Sequence, residues 1–190
     1  MGGVPRISRG SPTRFDRIYC ARLDSRAMQS ATLSYISDGP AGTRATLQLM
    51  ASVVREFRKD LSIRNLALSI VGGLTGKDYY GEAATLTKWV RSNIRYVRDI
   101  RDVETVQTPA VTLENRGGDC DDQATLLSAL LESIGFQTRF VAIKTDPSGP
   151  FVHVFSEAEV NGEWVPLETT EDWTPGYFPV QTAGEMIQEV

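Results

Sequence analysis

A chain of 190 residues, 41% hydrophobic and 23% charged, has the make-up of a soluble unit large enough to bury one core. No stretch of about eighteen apolar residues is present, which excludes a membrane-spanning helix, and the N-terminus carries arginines without the apolar segment of a secretory signal. Two cysteines, Cys20 and Cys120, are too few for a disulfide scaffold, so both are expected to be reduced, in a cytoplasmic or assembly-related setting.

The net charge of −4 is unevenly spread: residues 1–26 hold six arginines against Asp16 and Asp24, leaving the remainder at about −8. Gly2, Gly3, Pro5, Gly10 and Pro12 give the start of the chain the character of an extended arm. Residues 1–38 are therefore read as a basic N-terminal arm, with short strands at Asp16–Leu23 and Ala31–Ile36. The plain reading of the arm is a solvated tail. The sharper one is docking on an acidic partner surface. Its basic residues are not interleaved with aromatics, so nucleic acid is not the expected partner.

From Thr43 the spacing becomes helical. Leu47, Met50, Ala51, Val54 and Phe57 fall on one face of an amphipathic helix. Asp60 can cap a second helix carrying Ile63, Leu66, Ala67, Ile70 and Leu74, ending near Gly72-Gly73. A third is expected from Gly81 to Tyr96, with Leu86, Trp89, Val90, Ile94 and Val97 on its buried stripe. Pro109 suits a first helical turn. After the break at Asn115-Arg116-Gly117-Gly118, Asp119 stands where an N-cap would stand. The helix it starts buries Ala124, Leu127, Leu130, Leu131 and Ile134 and stops at Gly135.

Cys120 lies four residues before Ala124 and seven before Leu127, on the inward face of that helix's first turn. Free N–H groups and the positive end of the helix dipole favour a thiolate there. The bland alternative is a cysteine buried as a small hydrophobe. Downstream, Phe136–Ile143 and Phe151–Val160 read as strands, and Asn161-Gly162 turns the second back into Glu163–Thr169. A two-residue loop pairs Val160 with Glu163. Continued outward, that register sets His153, the chain's single histidine, opposite Thr170, with Glu168 and Asp172 as its diagonal neighbours on one face. A carboxylate there can orient the imidazole, and the imidazole can serve a thiol as base.

Gly118-Asp119-Cys120-Asp121-Asp122 with its helix, then Phe151-Val152-His153-Val154, then Trp164-Val165-Pro166-Leu167-Glu168-Thr169-Thr170, resembles the transglutaminase-like cysteine enzymes. The resemblance implies a catalytic triad of Cys120, His153 and Glu168. It also implies an α+β, papain-like core, with N-terminal helices packed on a small antiparallel sheet. From Gly42 onward the chain is also similar to small bacteriophage-encoded members of this superfamily. That likeness implies a bacterial host cytoplasm, with the protein virion-associated and its arm docked on other phage structural proteins. One departure is visible: Glu168 stands where the family pattern usually has Asp, one methylene shorter.

The domain reading is then an arm at 1–38, a catalytic domain at 39–175 and a C-terminal tail at 176–190. The expected activity is cysteine-dependent hydrolysis of a polypeptide or peptidoglycan-type amide through an acyl-thioester. The alternatives are acyl transfer to an amine and a non-catalytic virion protein that keeps the fold. No cofactor is expected. One histidine and two distant cysteines do not make a zinc set, and Asp119-Cys120-Asp121-Asp122 lacks calcium-loop spacing, so no metal is expected either. Gln107 is a candidate for the second oxyanion-hole donor, beside the backbone N–H of Cys120.

Overall fold

The structure, a computed structural model, describes the backbone of residues 18–24, 27–34 and 104, and residues 39–74, 76–98 and 105–190 with their side chains. The arm reading of residues 1–17 lies outside the described residues. Ile18–Asp24 (β1) and Ala27–Ser34 (β2) pair antiparallel, the second strand starting earlier than its β-forming residues suggest.

Pro40–Phe57 (α1) begins with its proline in the first turn and buries Leu47, Met50, Ala51 and Val54, the stripe its spacing predicts. Asp60 caps Leu61–Val71 (α2), its side chain accepting from the Ser62 N–H at 2.7 Å. Asp78 does the same for Tyr79–Asn93 (α3), accepting from Gly81 N–H at 2.9 Å. This third helix ends three residues before the expected Tyr96. Ile94 takes extended backbone (φ −110, ψ 112), and the N–H groups of Arg95 and Val97 each reach a carbonyl of residues 116–118 at 3.0 Å. Sequence periodicity could not foresee this, because the competing partner is a distant backbone. Val97 is consequently 44% exposed rather than buried.

Arg95–Tyr96 is thus a short strand, β3. Glu104–Thr105 (β4) pairs parallel with β1. Pro109–Asn115 (α4) ends at Arg116, a non-glycine residue at φ 48, and Gly117–Gly118 (β5) follows as the parallel partner of β3. The chain then enters Cys120–Ser133 (α5).

Helix α5 is the axis of the core. Of the inward face read from spacing, Ala124, Leu127, Leu130 and Leu131 are buried and Cys120 and Ile134 partly so, and Leu126 and Ala129 on its other sides are buried too. The reason is that α1, α2, α3 and α4 surround it and a sheet closes the remaining side. An all-round buried helix cannot show amphipathic periodicity. That sheet has the order β8-β7-β6-β9, built from Thr138–Lys144 (β6), His153–Val160 (β7), Glu163–Leu167 (β8) and Gly184–Glu189 (β9), all antiparallel. Residues 184–189 therefore correct the reading of 176–190 as a tail. Ile187 is 45% exposed, but the backbone pairs with β6 along its length, and an edge strand needs only one buried face.

Candidate active site

The N-terminus of α5 is built before any chemistry is considered. The Asp119 side chain accepts from the N–H groups of Asp121 (3.1 Å) and Asp122 (3.4 Å), while Asp122 reaches back to the Asp119 N–H at 3.3 Å. This is a reciprocal capping box made of two aspartates. Gly118 is required beside it, since a Cβ there would come within 2.5 Å of the Asp122 Cβ. Asp122 also accepts from the Gln107 N–H at 2.7 Å and the Gln107 Nε2 at 2.5 Å. These bonds tie the loop before α4 to the first turn of α5. Gln107 is therefore at the site but not as expected. Its amide N–H groups go to Asp122 and to the Gly117 carbonyl (3.4 Å), and its oxygen accepts from Asn115 at 3.3 Å. An amide so engaged is a brace for the loop.

The hairpin holds the second half of the site. Asn161 and Gly162 both have positive φ (56 and 88), as a type I′ turn requires, and the register Val160↔Glu163 continues to Ser156↔Leu167 as the turn dictates. Pairing stops there, short of the His153–Thr170 level. Glu168, one residue past β8, turns its carboxylate to His153, with Oε2 2.6 Å from the imidazole Nε2. Its other oxygen accepts from the Thr170 N–H (2.6 Å) and the Thr170 hydroxyl (2.8 Å). The side chain of Glu168 is 2% exposed. Burial alone would raise its carboxyl; the hydrogen bond and charge of His153, with the two Thr170 bonds, outweigh burial and hold it below the usual range. Asp172, the other diagonal candidate, points away: its side chain is 95% exposed and paired with Arg91 at 2.9 Å.

Strand β7 is fixed against α5 by Ser156, whose hydroxyl donates to the Ala124 carbonyl and meets Ser128 Oγ, each at 3.0 Å. This anchoring brings Cys120 to β7, where the backbone N–H of Val154, the residue after His153, faces its sulfur and favours the thiolate. The thiol itself donates to Asp121 Oδ1 at 3.4 Å; it makes no hydrogen bond to the imidazole. The structure thus joins His153 to Glu168 and sets Cys120 beside them, without closing a Cys–His hydrogen bond.

The electrostatics of Cys120 run against the expectation from its helix position. Burial pushes its thiol well up, and the charges of Asp121 and Asp119 push it further, with the Val154 N–H opposing. Part of the residue's surface reaches solvent, yet the sulfur sits in a dense shell of protein. A carboxylate 3.4 Å from a thiolate repels it by about 5 kcal/mol at an effective dielectric of about 20. A helix terminus supplies about 0.3–1 kcal/mol, so the dipole loses. Asp119, Cys120 and Asp121 also bring one donor atom each within 4.8 Å of one another. Since the Asp119 carboxylate serves the cap and the thiol is held protonated, this is a poor ligand set for a cation.

Several contributors had no place in the sequence reading: Asp122 as the knot between cap and loop, Thr170 as the second partner of Glu168, and the Ser128–Ser156 pair. Only Asp122 had a local signal, the capping-box spacing Asp119-x-x-Asp122.

A family model, that of the transglutaminase-like superfamily, matches residues 64–169. No curated protein matches the chain. Among solved structures, a candidate cysteine protease from Cytophaga hutchinsonii is similar over 68% of this chain and 50% of its own, at 18% identity and a TM-score of 0.48. A candidate protease from Parabacteroides distasonis is similar over 65% of this chain and 26% of its own, at 13% identity and a TM-score of 0.52. The chain thus spans half or less of the length of these proteins, and the second supports the α+β fold that their likeness shares. The family match covers more than half of the chain and includes Cys120, His153 and Glu168: this protein belongs to the transglutaminase-like superfamily.

Proposed function

We propose that this protein is a cysteine-dependent amide hydrolase in which Cys120, His153 and Glu168 act as a triad. The observation that carries the proposal is the 2.6 Å bond between His153 Nε2 and a buried Glu168 kept ionised, beside a strand N–H that faces the Cys120 sulfur. A carboxylate on Nε2 selects the tautomer with its proton there, leaving the Nδ1 lone pair to act as base. Among the described residues nothing accepts from the Cys120 N–H, at the first position of α5, so it is available to a substrate oxygen. Sulfur adds to the amide carbonyl as His153 takes the thiol proton. The proton passes to the leaving amine, and water then hydrolyses the acyl-thioester.

Hydrolysis is favoured over acyl transfer because water needs no binding site of its own. We extend the substrate class to a polypeptide or peptidoglycan-type amide, and the setting to a bacterial host cytoplasm or a virion whose structural proteins receive the basic arm. The raised thiol and its bond to Asp121 favour a second reading, a fold retained without catalysis. Amide turnover against a panel of peptides and cross-bridge fragments, with Cys120→Ser and His153→Ala as controls, separates the two. Turnover abolished by both substitutions is expected; turnover that survives Cys120→Ser refutes the triad.

A further inference from the structure

We propose that the phenol hydroxyl of Tyr96 is the second hydrogen-bond donor to the substrate's carbonyl oxygen at Cys120, working with the Cys120 backbone N–H. This deepens the amide-hydrolase reading and rests on it. The starting point is an unexplained element. Strand β3 is only Arg95–Tyr96, both residues are exposed, and neither belongs to the hydrophobic core, so packing gives no reason for it. Its backbone is nonetheless fixed on both sides: Arg95 N–H to the Arg116 carbonyl and Val97 N–H to the Gly118 carbonyl, each at 3.0 Å. The register sets Tyr96 level with Gly118, two residues before Cys120. The approach is close, since a Cβ on Gly117 would lie 3.1 Å from Val97. A strand held this way beside a helix start positions its alternate side chain, here Tyr96, with little freedom in its backbone.

The side chain has the properties of a donor to an incoming group. Tyr96 is 47% exposed, so its ring borders solvent, where a substrate would approach. Its phenol lies within electrostatic range of Cys120 and Asp119, with Arg98 beside it. Burial of part of the ring raises the phenol, and Cys120 when ionised and Asp119 raise it further, so at neutral pH it carries its proton. Gln107, the side-chain amide suggested for the role, is engaged by Asp122 and Gly117.

The chemistry needs such a donor at one step. As the sulfur–carbon bond forms, the carbonyl π pair moves onto oxygen, and the oxyanion is stabilised where donors already point at it. Tyr96 O–H and Cys120 N–H supply two. When the intermediate collapses, the pair returns, the carbon–leaving-group bond breaks, and the proton held by His153 goes to the leaving group. Tyr96 keeps its own proton throughout.

The test compares two reactions of the same sulfur in the full chain and in Tyr96→Phe. Acylation of Cys120 by p-nitrophenyl acetate passes through an oxyanion; alkylation by iodoacetamide does not. Loss of one oxyanion donor costs about 10²–10³ in rate. Tyr96→Phe is expected to slow acylation by a factor in or near that range while alkylation stays within twofold and the melting temperature is unchanged. Acylation within threefold of the parent overturns the assignment, as does a parallel fall in both reactions, which would put Tyr96 on the thiol itself. A parent chain that alkylates at Cys120 but is never acylated, or that does neither, refutes the hydrolase reading and this assignment with it.

Discussion

Replacing Asp121 with asparagine should make Cys120 more reactive, and the size of the effect follows from one distance. The Asp121 carboxylate lies 3.4 Å from the sulfur, accepts the thiol proton and repels the thiolate. At that separation the repulsion is about 1 kcal/mol in fully screened surroundings and about 5 kcal/mol at an effective dielectric of about 20. Removing it raises the thiolate population by about 8-fold at the lower limit and by about three and a half orders of magnitude at the upper. A more stable thiolate is also a weaker nucleophile, with a Brønsted slope of about 0.4–0.5, so roughly half of the gain in logarithmic units survives. Alkylation of Cys120 at neutral pH should therefore accelerate by about 3- to 60-fold. The assay is timed iodoacetamide labelling with mass-spectrometric site assignment, using Cys20 as the internal comparison. A rate that is unchanged or slower in Asp121→Asn would refute the claim that the neighbouring carboxylate holds the thiol protonated. It would leave burial, the larger cause, and the Asp119 charge as the explanation.

Glu168→Gln should cut amide turnover by about an order of magnitude or more, by analogy with loss of a triad carboxylate, whereas Asp172→Asn should leave most of it. Steady-state kinetics on the two variants decides, and the reverse ranking would refute the assigned register. Because the Glu168 carboxyl is held below its usual range in the folded protein, its contribution to stability is complete above about pH 4.3 and declines as pH falls through the lowered folded value. Urea unfolding of the parent and Glu168→Gln should accordingly differ more at pH 6 than at pH 3. Asp119→Ala removes the α5 cap and should cost about 1–2 kcal/mol, seen as a melting temperature about 2–8 °C lower. An unchanged melting temperature would mean that the Asp122–Gln107 bonds suffice to hold the turn.

Local signals in the chain were enough for the helices and the hairpin. The spacing of Leu47, Met50, Ala51 and Val54, the caps Asp60 and Asp119, and the Asn161-Gly162 turn act over a few residues, and each forms as its pattern implies. The hairpin register likewise limited the partners of His153 to Glu168 and Asp172.

Everything that depended on distant chain segments was out of reach. Ile94 leaves its helix because Arg116 and Gly118 offer carbonyls to residues 95 and 97, and Gly184–Glu189 becomes a strand because β6 has an open edge. Register left both Glu168 and Asp172 open and the family pattern selected Glu168; the physical reason, Thr170 folding back on the carboxylate and Arg91 drawing Asp172 away, lies in the tertiary structure. The state of Cys120 was decided last and against its position in sequence. A helix start favours a thiolate by a local dipole, and the flanking carboxylates Asp119 and Asp121 oppose it from within the same turn, but the low-dielectric shell that buries the sulfur, the largest cause, is set by tertiary packing.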